Sequence, residues 1–236
     1  MLQATLRTVK EKGFTVNSEK SQRLSHRAAD LADLRPSQRR LLVEKVHIQP
    51  GADRRLPSQA PFLTAWGGGI HLVSLLGDLP DALLGWWASQ SAGHIVLTTV
   101  EASYLPGAVA VGSRTRAGVA RIPLTLIAKD PLAALSLALY PLDHLLGCRG
   151  DEAGHWLSAG GGIAPAWMEI GRQIHSLFEL GYGISPEAQK SPQAYLAQGL
   201  VIALHDARQL NTADPKLDRL LHGSLLNEGF CRRTLP

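Results

Sequence analysis

The order of hydrophobic patterns along these 236 residues predicts an α+β fold: a small, mostly antiparallel sheet followed by a helical subdomain, preceded by an N-terminal helical extension. Three observations predict it. Short β-favouring runs bounded by glycine occupy residues 69–127, whereas beyond Asp130 the apolar residues recur in steps of three and four behind Asp-Pro and Ser-Pro starts. Strand-like and helix-like segments are therefore segregated along the chain, which favours α+β over alternating βαβ units. A hydrophobic content of 45% over this length is also enough to bury a core without disulfide staples.

Residues 1–58 read as the extension. Leu24, Ala28, Leu31, Leu34, Leu41 and Leu42 follow a helical spacing over 18–45, interrupted at Pro36, and the turn-rich stretch from Gln49 to Ser58 reads as a linker. The second domain, 59–236, opens with expected strands at Gly69–Leu76 and His94–Val100, separated by a short helix from Asp81 to Ala88 with Asp81 as its cap. Ala108–Val111 and Val119–Ile127 read as two more strands, with Gly112–Gly118 as a mobile connection. Asp130-Pro131 then starts a helix whose apolar residues cover nearly every face, so it is expected to be central and buried. Pro141 should kink it or start a new helix. After a glycine-rich loop, Ala159–Gly162, a helix runs from Pro165 to Leu180; Ser191-Pro192 and Asp214-Pro215 open two more.

Two cysteines, Cys148 and Cys231, and an N-terminus lacking an apolar export core suggest a reducing, cytoplasmic setting. No window holds 18 uninterrupted apolar residues, so no membrane span is expected. The first 58 residues carry 12 Lys/Arg against 6 Asp/Glu, although the chain as a whole has 24 against 20. Arg35, Arg39 and Arg40 are thus the candidate partner-binding cations. Their interleaving with acidic residues, and the lack of aromatic residues to stack on bases, argue for a solvated helical face and against nucleic acid.

The chemistry-bearing stretch is His144-Leu145-Leu146-Gly147-Cys148. Two metal-binding residue types stand one helical turn apart, as in zinc proteases, but Leu145 occupies the place where a Glu would activate the metal-bound water. Further along come Gly181-Tyr182-Gly183, the run from Ser191 to Leu200, and Asn211-Thr212-Ala213-Asp214-Pro215. With Gly147, these segments and their order resemble the catalytic domain of the anthrax lethal-factor-like zinc metallopeptidases over roughly residues 59–230. That family carries His-Glu-x-Gly-His on its active helix and a third-ligand Glu on a later one.

The resemblance implies a zincin-like fold with His144 as first metal ligand and Tyr182 as the transition-state tyrosine. It equally implies a degenerate site: Leu145 replaces the base, Cys148 the second His, Ala194 the third ligand and Gln198 a neighbouring Glu. The expected function is a catalytically degenerate domain that binds a protein partner or a second copy of itself, with no resident cofactor. An alternative is an active zinc peptidase with a rearranged site using His144, Cys148 or His155 and a loop carboxylate, such as two histidines with Asp151 or Glu152 if that loop folds back. A further alternative is nucleic-acid association through the basic arm.

Overall fold

The computed structural model describes residues 30–58, 60–181 and 184–236. The expected helical turns before residue 30, and Tyr182, lie outside the described residues. A 3-10 turn at Leu31–Asp33 leads into α1 (Pro36–Lys45), which starts with Pro at its first position, where a missing N–H costs nothing. Strand β1 (Val46–Ile48) follows at once. It pairs in parallel with β2 (His94–Thr98), which pairs in parallel with β4 (Arg114–Pro123); β3 (Ser103–Val111) closes the sheet antiparallel to β4, giving the order β1-β2-β4-β3.

Several expectations are corrected here. Two of the three strand pairings are parallel, so the sheet is mixed and not mostly antiparallel. The boundary expected at residue 58 is no break in the fold: Leu41, Leu42 and Val46 belong to the same buried core as the rest, and β1 is a sheet strand. Gly69–Leu76 is not a strand but most of α2 (Ala65–Ser74), started by the Thr64 hydroxyl, which accepts the Gly67 N–H at 2.9 Å. Its β-favouring residues tolerate the helix because Ile70, Leu72 and Val73 are all buried. Gly112–Gly118 is not a loose connection, since Gly112-Ser113 forms the tight turn of the β3–β4 hairpin, with Gly112 at φ +60°, and residues 114–118 are strand. The strand expected over Val119–Ile127 ends at Pro123, where α4 (Leu124–Lys129) begins.

In α3 (Asp81–Ser89) the cap is Pro80 and not Asp81, whose carboxylate instead pairs with Arg35 at 2.9 Å. The apolar stretch from Pro131 divides into α5 (Pro131–Ala138) and α6 (Tyr140–Cys148), which puts Pro141 in a first turn, where it fits. By length and composition Pro131–Cys148 would suit a membrane, but most of it is buried within the protein. Then come α7 (Pro165–Glu179), α8 (Pro192–His205), α9 (Ala207–Ala213), α10 (Pro215–Gly223) and α11 (Glu228–Thr234). Ser191 and Asp214 cap α8 and α10 as their Ser-Pro and Asp-Pro sequences indicate. Helices α2, α4, α5 and α6 pack on the sheet, where Ile95, Leu97, Ala120 and Ile122 are fully buried.

Candidate functional site

Helix α6 buries Asp143, His144, Leu145, Leu146 and Gly147 together. Gly147 is required by packing: a Cβ there would stand 2.3 Å from the His155 carbonyl oxygen and from the Leu157 N. The 154–162 loop thus lies flat on the helix, and Gly154, Gly161 and Gly162 are similarly closed to side chains by Cys148, His155 and Met168. The glycine-rich loop is a packing device.

His144 is fully buried. Its Nδ1 lies 2.7 Å from the Tyr104 hydroxyl and its Nε2 lies 3.1 Å from the Asp151 carbonyl oxygen. A carbonyl can only accept, so Nε2 carries the proton and Nδ1 offers the lone pair that receives the Tyr104 O–H. Trp156 stacks on the imidazole at 4.8 Å between ring centroids, Tyr104 meets the imidazole edge-on, and Tyr140 stands edge-on to Trp156. Burial holds the His144 pKa below its ordinary value and raises that of the Tyr104 hydroxyl, so both stay neutral.

Cys148 faces two carbonyl oxygens, those of His144 at 3.4 Å and Asp151 at 3.2 Å. Burial pushes its thiol up, the opposite of what a metal ligand or nucleophile requires. The 149–155 loop does fold back over His144, but it reaches the ring with a backbone carbonyl and not a carboxylate. The Glu152 carboxylate packs over Gly107 of β3, and His155 is exposed. Among the described residues no three His, Cys, Asp or Glu side chains are grouped to hold a metal. His144, Cys148 and His155 as arranged do not fit a zinc centre: neither imidazole nitrogen of His144 has a free lone pair, the thiol is protonated, and His155 is not brought to them.

Each position expected to be degenerate has a defined place in the fold. Leu145 is in the core, its Cδ1 placed where a Cβ on Gly93 would fall 2.4 Å away. Ala194 sits in the first turn of α8, its N–H given to the Ser191 cap, and Gln198 accepts a hydrogen bond from Ser185. Arg35 donates to the Gly77 and Leu79 carbonyls besides pairing with Asp81, and Arg39 donates to the Leu34 carbonyl at 2.8 Å. Arg35 is thus tied into the fold and half-buried, while Arg39 and Arg40 are both exposed.

Sequence reasoning missed Tyr104, which has no motif around it, and the role of Asp143. Asp143 is 3% exposed and accepts the Ser158 N–H at 2.8 Å and its hydroxyl at 2.6 Å. Desolvation raises its pKa to about 7 despite those two donors. A second missed group lies at the other end of the sheet. Lys45, 1% exposed, donates to the Gln90 and Ala92 carbonyls, and His47 meets His94 at 3.0 Å while His94 Nε2 donates to the Ser91 carbonyl. Burial brings Lys45 down to about 8 and His94 to about 4. Comparisons of the chain with protein-family models, curated proteins and solved structures found no match.

Proposed function

We propose that this chain is a non-hydrolytic binding or structural domain, in which the helix resembling a zincin active helix serves as a packing element. The observation that carries this reading is the use of both His144 ring nitrogens inside the protein, by Tyr104 and by the Asp151 carbonyl. A catalytic zinc would have to displace one of them, and Leu145 offers no group to take a proton from bound water. The partner in this reading is a protein or a second copy of the chain.

Zinc content and peptide hydrolysis, measured together on the parent and on His144→Ala, test it. Metal below about 0.1 per chain in both, without hydrolysis, is the expected result. His144→Ala should lower stability by roughly 2 kcal/mol, because the Asp151 carbonyl loses its buried donor and the Tyr104 hydroxyl its acceptor. Stoichiometric zinc in the parent that disappears in His144→Ala would overturn the proposal.

A further inference from the structure

The sheet face opposite the helices carries a second, chemically different feature. Side chains at paired positions of adjacent strands share a face, so the register Ser103–Arg121–Val96–His47 places Arg121 and His47 on either side of Val96, away from the buried Ile95, Ala120 and Ile122. Over the Arg121 and Val96 positions of this row the β3–β4 hairpin tip and the turn after β1 border a cleft of about 370 Å3. Its walls are largely apolar, formed by Ile48, Pro50, Val96 and Val111, and its polar side chains are Arg121 and Gln49.

Arg121 is half-buried, yet among the described residues no carboxylate pairs with it and no carbonyl accepts from it. Arg114 and Arg116, on the strand returning from the hairpin turn, lie close enough to His47 for their charges to disfavour its protonation, as does Lys45. Gln49 is oriented by Thr98: the Thr98 hydroxyl accepts the Val100 N–H and donates to the Gln49 Oε1. The Gln49 side-chain N–H groups have no acceptor among the described residues.

We infer that this cleft binds a small molecule with an oxyanion head, carboxylate or phosphate, on a compact apolar body. The guanidinium offers a planar fork of donors matched to either head, Gln49 adds a further donor, and the apolar walls exclude water around them. The cleft lies within the size range of small-ligand pockets and is too confined for a protein segment with its own fold. This inference goes beyond the proposed function and does not depend on the state of the His144 site.

Calorimetric titration of the full chain at about 0.15 M salt tests it, with phenyl phosphate, benzoate and benzyl alcohol as probes. Binding of at least one anion and not of the neutral alcohol is expected, and the stronger of the two identifies the head. Arg121→Gln should weaken that binding roughly tenfold or more without changing Tm. Ala110→Trp, at an exposed position on the hairpin tip lining the cleft, should block it sterically while keeping the charge. Failure of both anions to bind, or affinity within about twofold of the parent in Arg121→Gln, overturns the inference. So does preferential binding of a single-stranded oligonucleotide that depends on Arg114 and Arg116 and falls steeply with salt, which would make the face a polyanion surface.

Discussion

Asp143 is a carboxylate whose surroundings work against its charge. It is 3% exposed, and its hydrogen bonds from the Ser158 hydroxyl and from the Ser158 and Leu157 backbone N–H groups do not offset desolvation, so its pKa rises to about 7 from an ordinary 3.8. Between those two values the folded state holds a proton that the unfolded state has released. Its contribution to stability is therefore full below about 4 and is lost as pH rises through about 7. Asn at this position keeps the acceptor for the Ser158 N–H and gains an N–H for the hydroxyl, without ever ionising. Asp143→Asn should thus gain about 2 kcal/mol relative to the parent between pH 5.5 and pH 8, read by urea denaturation at the two pH values. A gap that does not change with pH would show that Asp143 ionises normally. At this scale the sequence was only half legible. The one-turn spacing of His144 and Cys148 is visible in the chain, but Tyr104, whose hydroxyl donates to the His144 Nδ1, lies 40 positions away on a strand and has no motif to announce it.

Elements were legible where their ends carry capping chemistry and illegible where only composition spoke. Asp130-Pro131, Ser191-Pro192 and Asp214-Pro215 each start a helix in which the Asp or Ser side chain accepts a backbone N–H, a local rule that needs no tertiary knowledge. The stretch Gly67–Leu76 misleads for the opposite reason. Its glycines suggest a strand boundary, yet in α2 they let the helix approach other parts of the core: a Cβ on Gly68 would touch Leu124 and Phe62, and one on Gly69 would meet Leu42, Leu97 and Val46 at 3.3 Å. Glycines in two other helices separate the packing role from the propensity cost. At Gly147 an added Cβ meets backbone atoms at 2.3 Å, which cannot swing aside as a side chain can, whereas at Gly85 in α3 nothing lies within 4 Å. Gly147→Ala should destabilise by about 2–3 kcal/mol and lower Tm by roughly 5–10 °C. Gly85→Ala should raise Tm by about 2–3 °C, because it gains helix propensity with no clash. Equal shifts of the same sign in thermal melts of the two variants would refute the packing role given to Gly147.

At the scale of the whole molecule, fold class was legible because strand-favouring and helix-favouring stretches are grouped along the chain, and topology was not, because a three-residue strand such as β1 leaves almost no pattern. The consequence is that residues 30–58 contribute to the core, and with them comes half-buried His47, one of a set of partly or fully buried histidines. His47, His71, His94 and His144 come from α2, α6 and two strands, and desolvation lowers the pKa of all four, that of His94 to about 4. His71 has no hydrogen-bond partner at either ring nitrogen among the described residues. For a histidine lowered in this way the sign is opposite to that of Asp143. Its contribution is present above the unfolded value near 6.5 and is lost as pH falls toward the folded value, since only the unfolded chain takes up the proton. Each histidine contributes at most about 1.4 kcal/mol per pH unit in that window, and one Asp143 opposes four of them. Stability should therefore fall as pH drops from 6.5 toward 4.5. Urea midpoints measured across that range should decline for the parent, decline more steeply for Asp143→Asn, and decline less for His71→Leu, which removes an unpaired buried imidazole. A parent midpoint that is flat or rises on acidification would mean that these imidazoles reach water in the folded state and that the core is not sealed around them.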